Sequence, residues 1–470
     1  MKKNFSKKGT ISRKRKQKQG GAAGQPFSPA YRDGYLLGYK EGLKAGTVSY
    51  GNDFDGTSIV IPTFNQLAYF KECINSIKAN TDVPYEIIVV DNASNDGTEA
   101  YLRSQNLGVR YTVLEENRGF AGGINHGLMM ARGKYIVMLN NDTVVTKGWL
   151  THMLHCLQSD ERIAAVGPVT NYIGGDQQIE VSYQRIQDMW AFAKRYSNSD
   201  PSQWRITDRL VGFCLLFRRE LISEVGYLDE GYRIGNYEDE DWNIRIRLTD
   251  RKLAVAGDSF IHHYGSVSMK KLADQFEQTN DHNAKFYAAK WGNPHELVLK
   301  TKEIRRTENS TDLKIYAYHL YPNYRWIQSS AGILYWLADG QKHRISFVGA
   351  DADYHQLQKK AVTLSRPELR QIPSGREITA SSEQEITEMI REQNYTVGLP
   401  EGSIIMEDSL NGDLEWFQLS QGKRRPFVTR YAAEYWLNDT DTVHTLSSQV
   451  IQTLPLGLPL IAASVLKNPL

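Results

Sequence analysis

Between residues 57 and 148, short apolar runs rich in β-branched residues alternate with stretches whose apolar residues return every three or four positions. Ser58 to Ile61 reads as a strand ending at Pro62, after which Leu67, Phe70, Ile74 and Ile77 recur at helical spacing. Glu86 to Val90 runs into DNASNDGT, a turn-forming stretch in which Asp96 or Thr98 caps the next helix. Val109 to Leu114 precedes the glycine-rich turn NRGFAGGIN and a helix reaching Ala131, and Tyr135 to Leu139 is a further buried strand. This alternation predicts an α/β fold built on a doubly wound, mostly parallel sheet. Right-handed crossovers then bring the carboxyl ends of the strands to one edge, where open α/β sheets bind their ligands. Farther on, Ile163 to Val166 and Val211 to Phe217 read as strands, and Trp242, Ile244, Ile246 and Leu248 as the apolar side of a helix.

After about residue 300 the pattern changes. GILYWLADG (332–340) is answered by GDLEWFQLSQG (412–422), and TLSRPELRQIPSGREI (363–378) by TLSSQVIQTLPLGLPL (445–460). Each copy holds short strands around Trp336 or Trp416, a Gly-containing turn, a basic stretch (Lys342 to Arg344; Lys423 to Arg425) and a Pro-x-Gly turn. That pattern predicts a small β-rich module with the Trp in its core and the basic residues at its surface. Trp and Tyr interleaved with Arg also suit stacking on sugars or binding of anionic glycans. The expected organisation is a basic tail and a Gly/Tyr-rich helical segment over 1–50, the α/β domain over 51–300, and β-rich repeats over 310–380 and 400–465. All the chemical motifs considered below precede residue 270, so the repeats are expected to be dispensable for nucleotide binding.

Composition narrows the class. Hydrophobic content of 41% with 23% charged residues is that of a soluble globular chain. The net charge of +2 hides an asymmetry, because residues 1–20 carry nine Lys or Arg and no acid, leaving an acidic remainder. With no apolar stretch beside it, this tail is not a signal peptide; it reads as a solvated arm or as one drawn to an anionic surface. The longest apolar run, Leu454 to Leu466, contains Pro455 and Pro459 and falls short of the ~18–20 residues that cross a bilayer. Cys73, Cys156 and Cys214 form no C-x-x-C pair and read as core thiols of a reducing compartment. A cytoplasmic location follows, with the tail as the one point of peripheral contact with a membrane or envelope surface. No nucleic-acid partner is expected, and the oligomeric state is left open.

Three predicted strands end in oxygen-bearing side chains: Asn65, then Asp91 with Asn92, then Asn140, Asn141 and Asp142. Such oxygens hold hard divalent cations. Glu238, Asp239, Glu240 and Asp241 open a helix, where the macrodipole favours each acid by ~0.3–1 kcal/mol. Four neighbouring acids repel one another, so a cation or a hydroxyl-bearing substrate, with help from Arg245 and Arg247, has to compensate; the repulsion also raises carboxyl pKa values toward those of a base. His262 and His263 fall on opposite faces of a strand, and only one of them can face the crevice. Gly119, Gly122 and Gly123 match neither the dinucleotide fingerprint nor the P-loop, and Asn125 after them caps a helix or touches a ligand.

In these motifs residues 57–268 resemble the inverting nucleotide-sugar glycosyltransferases of the family 2 class: SIVIPTFN, IIVVDNASNDGT, NRGFAGGIN, YIVMLNNDTVV, YEDED and HHYGSVS follow in the family's order. The resemblance implies a GT-A, Rossmann-like fold and transfer of a hexosyl-type sugar, with inversion, from a nucleotide-diphosphate sugar to a hydroxyl. The acceptor would be a glycan or a protein- or lipid-linked group in cell-envelope or surface-glycan synthesis. It further implies that Asp91 hydrogen-bonds the nucleobase, that Thr63, Phe64 and Asn65 line the nucleotide pocket, and that Asn92, Gly123 and Asn141 belong to it. Asp142 and His263 would hold Mn²⁺ or Mg²⁺. Asp239 would deprotonate the acceptor, with Glu238 and Asp241 beside that acceptor. The chain departs from the family's D-x-D motif at its first position, Asn140, which lowers the charge at the metal. The repeats resemble those appended to bacterial surface and envelope proteins. Two other readings share parts of the pattern. A sugar nucleotidyltransferase has no need of the EDED and HHYGSVS segments, and a non-catalytic glycan-binding surface protein with a degenerate transferase fold has no need of Asp91, Asp142 and Asp239.

Overall fold

A computed structural model describes residues 54–104, 107–265, 273–307, 314–349, 351–390, 395–408, 415–438 and 441–467; the basic tail and the Gly/Tyr-rich helical segment expected over 1–50 lie outside the described residues. Strands β1 (Phe54–Thr63), β2 (Tyr85–Asp91), β3 (Arg110–Val113) and β4 (Gly133–Leu139) pair in parallel in the order β3-β2-β1-β4. Helices α1 (Leu67–Asn80), α2 (Thr98–Ser104) and α3 (Gly119–Met130) make the crossovers. Past β4 the sheet continues as β8-β6-β9-β5, with β7 on β9. These are β5 (Thr143–Val145), β6 (Ile163–Thr170), β7 (Trp204–Thr207), β8 (Cys214–Arg218) and β9 (Lys252–His263). Of the nine described strands only β5, β7 and β8 run against the rest, so the sheet is mostly parallel.

Both faces of the sheet are covered, which is why its central strands read as unbroken apolar runs. On one face Val60, Ile88 and Ile136 meet Ile124 and Leu128 of α3. On the other Ile59, Ile61 and Val89 meet Phe70, Ile74 and Ile77 of α1 and Trp149 of α4 (Trp149–Ser159). The glycine-rich run expected as a turn is instead the body of α3. A Cβ at Gly127 would stand 2.2 Å from Val60 Cγ1, so the bare backbone is what lets the helix lie on β1. The three cysteines are buried and unpaired. No described helix is long and apolar enough to cross a membrane.

Three further helices carry the acidic segment and its support: α5 (Leu221–Val225), α6 (Glu238–Leu248) and α7 (Ala273–Trp291), with α8 (Pro294–Thr307) after them. The two C-terminal modules share one topology. In the first, β10 (Arg325–Ser329), β11 (Leu334–Ala338) and β12 (Gln341–Phe347) form an antiparallel meander, and β13 (Val362–Leu364) returns parallel to β10. In the second, Ile404–Asp408, Trp416–Ser420 and Lys423–Pro426 form the meander, and Val443–Ser447 returns parallel to its first strand. Equivalent backbone bonds recur: Lys342 N donates to Pro373 O at 2.8 Å and Arg424 N to Pro455 O at 2.9 Å. Each module also contains helices that the β-rich expectation lacked, among them Arg366–Gln371, capped by Ser365, and Arg430–Trp436, capped by Thr429. Trp336 is a core residue stacked edge-on to Trp326, whereas Trp416 is only partly buried.

The modules are not appended at a distance. Residues 53–470 form one compact unit, and a single apolar core joins Ile244 and Leu248 of α6 and Trp291 of α7 to Tyr321, Ile327, Phe427, Trp436 and Leu460 of the C-terminal half.

Candidate active site

The carboxyl ends of β1 and β4, with the loops facing them, enclose a crevice of about 430 Å³. Thr63 and Phe64 line it after β1, Asn92 after β2, and Asn140, Asn141 and Asp142 after β4. Their amides knit the strand ends together: Asn141 Nδ2 donates to Thr63 Oγ1 at 2.9 Å, Asn92 N to Thr63 O at 2.8 Å, and Asn92 Nδ2 to Gly119 O at 2.9 Å. Asn65, Asp91 and Gly123 stand just behind this lining. Asn65, in left-handed backbone, accepts from Asn95 N, and Gly123 packs its backbone on Pro62 and Asn92. Asp91 is wholly buried; one oxygen accepts from Ser94 N at 3.0 Å and the other has no partner, and burial raises its pKa.

Asp142 and His263 meet across the β5–β9 pair. His263 Nδ1 lies 2.9 Å from the Tyr172 carbonyl, which can only accept, so this nitrogen carries the proton. In the neutral ring Nε2 then presents a lone pair to Asp142 Oδ1 at 3.2 Å, without a hydrogen bond. Phe213 lies flat against the imidazole, with centroids 5.2 Å apart, and fixes its plane. Asn140 Oδ1 is also buried without a partner. His262 faces the other way, its Nδ1 2.7 Å from the Tyr183 hydroxyl, and burial lowers its pKa to about 4.

The four acids at the start of α6 divide among three environments. Glu238 and Asp239 line the crevice. Asp239 Oδ2 accepts from Gly212 N at 2.7 Å and Oδ1 from Glu240 N at 2.9 Å, while burial raises its pKa against those bonds. Glu238, with a buried oxygen lacking a partner, is raised further by burial and then by the Asp239 charge. Glu240 pairs with Arg209 at 2.7 Å.

Asp241 does not reach the crevice, which corrects the expectation of an acceptor contact there. It is wholly buried and accepts from Arg245 Nε at 2.8 Å, Lys290 Nζ at 2.6 Å and Trp291 Nε1 at 2.9 Å. Burial alone would raise its pKa, but the Lys290 and Arg245 cations prevail and hold it below the usual range. Lys290 also bonds Asp229 at 2.5 Å, closing a buried network of two cations and two carboxylates. Sequence reasoning named Arg245 and Arg247 as compensators; Arg247 instead pairs with Asp208, and Lys290 carried no local signal because it lies 49 residues away.

The crevice wall opposite the strand ends is Ile234, Gly235 and Asn236, which sequence reasoning missed. Ile234, Asn236 and Tyr237 all have positive φ (58°, 80° and 74°), which is strained for a β-branched isoleucine, and they lead straight into α6. The Ile234 carbonyl accepts from Phe120 N at 2.5 Å, and Gly119, itself at φ 71°, leaves room for that approach.

Over 217 residues the chain is 25% identical to an uncharacterized glycosyltransferase, YwdF, of Bacillus subtilis (strain 168), covering 46% of this chain and 77% of that protein. Over 211 residues it is 26% identical to the glycosyltransferase GlyG of Streptococcus pneumoniae serotype 4, covering 43% and 68%. Among solved structures it is similar to the mannosyltransferase PcManGT from Pyrobaculum calidifontis in complex with GDP-Man and Mn²⁺, at 21% identity and a TM-score of 0.34 over 50% of this chain and 66% of that one. Residues 58–226 match the family Glycosyl transferase family 2, a stretch that takes in Asp91 and Asp142 and ends before Asp239 and His263.

Proposed function

We propose that the protein is a glycosyltransferase that moves a sugar from a nucleotide-diphosphate sugar to an acceptor hydroxyl, with inversion and with the help of a divalent cation. The observation that carries this reading is one crevice lined by both the Asp142–His263 pair and the Glu238–Asp239 pair.

The residues present fit a hard cation. A carboxylate and an imidazole lone pair 3.2 Å apart repel unless a cation or proton lies between them, and the orphaned Asn140 carboxamide oxygen is a third donor beside them. No group of three His, Cys, Asp or Glu suited to a metal occurs among the described residues. Asp142 and His263 would hold Mn²⁺ or Mg²⁺, leaving the other positions to phosphate oxygens and water, as Mg²⁺ prefers. Bound there, the cation supplies Lewis-acid stabilisation of the departing diphosphate.

The chain's own residues do the rest. Thr63, Phe64, Asn92 and Asn141 form the floor on which the nucleotide lies, and Asp91, buried just behind that floor with one oxygen unpartnered, is the residue we assign to the base. Asp239, oriented by two backbone N–H groups, takes the acceptor's proton, and Glu238 beside it hydrogen-bonds the same acceptor. An acceptor bearing a hydroxyl on a glycan, protein or lipid meets this requirement, and surface-glycan synthesis is the setting we favour. A sugar nucleotidyltransferase would leave Asp239 without a task.

Calorimetry with a nucleotide-diphosphate sugar, with and without Mn²⁺, tests the metal assignment. Asp142→Ala is expected to lose more than about 10-fold in affinity in the presence of Mn²⁺, and to lose the Mn²⁺ effect itself. His263→Ala should weaken binding more than His262→Ala, whose ring faces Tyr183. An unchanged affinity and an unchanged Mn²⁺ effect in Asp142→Ala would remove the metal from the proposal.

A further inference from the structure

Residues 233–236 include the crevice wall and belong to no strand or helix, so their backbone groups have to find partners elsewhere. One side chain supplies most of them. Asn283 of α7 is wholly buried; its Oδ1 accepts from Arg233 N at 2.9 Å, and its Nδ2 donates to the carbonyls of Arg233, Gly235 and Asn236 at 3.0, 2.9 and 3.1 Å. The Arg233 N–H can only donate, so the carboxamide oxygen faces it and the amide faces the three carbonyls. The remaining carbonyl, that of Ile234, is the one that accepts from Phe120 N of α3. An asparagine inside a helix is a poor helix former, and these four bonds go to a segment 47 to 50 residues away.

The same face of α7 grips the chain on either side. Positions 280, 283, 287 and 290 return every three or four residues and so share one side of the helix. Asn280 accepts from Asn236 Nδ2 at 3.3 Å, Tyr287 packs on Tyr237 with ring centroids 5.3 Å apart, and Lys290 bonds Asp241. Between these anchors Ile234, Asn236 and Tyr237 keep their left-handed backbone, and the chain passes directly from them to Glu238 and Asp239. Backbone in that conformation persists only where its surroundings over-determine it. The floor residues Thr63, Asn92 and Asn141 stand instead at the ends of β1, β2 and β4.

We propose that Asn283 is a positioning residue for sugar transfer. It holds residues 233–236 in the conformation that builds the crevice wall and aims Glu238 and Asp239, and so governs the rate of transfer more than donor affinity. The inference rests on the transferase reading above.

Hydrogen exchange of the full chain reads the loop without any substrate. In wild type the segment 231–237 should be protected, and in Asn283→Ala it should exchange at least about 10-fold faster while β1 and β4 exchange as before. Release of nucleoside diphosphate from a panel of UDP- and GDP-sugars with Mn²⁺ is then expected to fall about 10- to 100-fold in that variant. Donor affinity by calorimetry should stay within about 3-fold of wild type, with the melt above the assay temperature. Asn283→Asp keeps the acceptor for Arg233 N but presents an oxygen to three carbonyls, so this variant of equal volume should lose at least as much rate as alanine. If neither variant folds, wild type decides: protection over 231–237 supports the proposal and fast exchange there overturns it. Unchanged exchange in the variants also overturns it, as does a rate that falls together with donor affinity, the mark of a merely structural residue. Wild type that releases no nucleoside diphosphate from any donor overturns the transferase reading and the inference with it, whereas wild-type turnover matched by Asn283→Ala overturns the inference alone.

Discussion

Asp239→Asn is expected to lower sugar transfer by ~10²–10⁴-fold while donor affinity stays near wild type, because a proton acceptor acts only in the transition state. The carboxyl is held by Gly212 N and Glu240 N, and an asparagine in the same place can keep the first of these bonds. The wild-type rate should also carry the signature of a raised pKa. Burial shifts Asp239 upward, so the acid limb of kcat/KM should lie above the ~3.9 of an ordinary aspartate, with activity rising as pH climbs through that limb. The sign for stability is opposite: a carboxyl whose pKa is raised by folding favours the native state below its unfolded pKa and stops doing so as pH rises through the folded one. Measured transfer rates, beside nucleotide affinity, decide between Asp239 and its neighbours. Normal turnover in Asp239→Asn would displace the base, and Asp241→Asn cannot replace it, since Asp241 faces Lys290 and Arg245.

Deleting residues 310–470 is expected to abolish folding of the remaining α/β domain, contrary to what the positions of the motifs alone suggest. The deletion uncovers Ile244, Leu248, Trp291 and Val298, each buried against the C-terminal half. At roughly 1.5–3 kcal/mol per large apolar side chain, that loss is comparable with the ~5–15 kcal/mol stability of a whole domain. It also removes the strand-like segment that holds the crevice wall. Glu230 N donates to Val465 O at 2.9 Å, Lys467 N to Glu230 Oε2 at 3.0 Å, and Leu466 packs into the sheet core. Glu230 in turn accepts from Asn125 of α3 at 2.9 Å, next to the loop that carries Ile234 to Asn236. Thermal melts and nucleotide titrations of the truncated chain give the answer. A melt within a few degrees of the full chain, with nucleotide affinity retained, would show the modules to be dispensable.

What the sequence made legible follows from burial. Strands covered on both faces are written as continuous apolar runs, so β1, β2, β4 and β8 and the polar residues at their ends could be found without the structure. β5 and β7 are three and four residues long and carry no comparable run. The glycines of α3 argue locally for a turn, each costing about 1 kcal/mol in a helix, and only the contact of Gly127 with Val60 shows why the helix prevails. Four consecutive acids look alike in a sequence, so the acidic segment reads as one site. In the fold Glu238 and Asp239 line the crevice, whereas Asp241 meets Arg245, Lys290 and Trp291 in the core, a division set by what packs around the start of α6. Its partner Lys290 becomes visible only when α7 is laid across α6.

Incubating the protein with a panel of nucleotide-diphosphate sugars and Mn²⁺, and identifying the nucleotide released, tests sugar transfer at this crevice. A nucleoside diphosphate is the expected product, formed from a subset of the donors and lost in EDTA and in Asp142→Ala. Release of a nucleoside monophosphate together with sugar 1-phosphate, or turnover that persists in EDTA and in Asp142→Ala, would contradict transfer at this site.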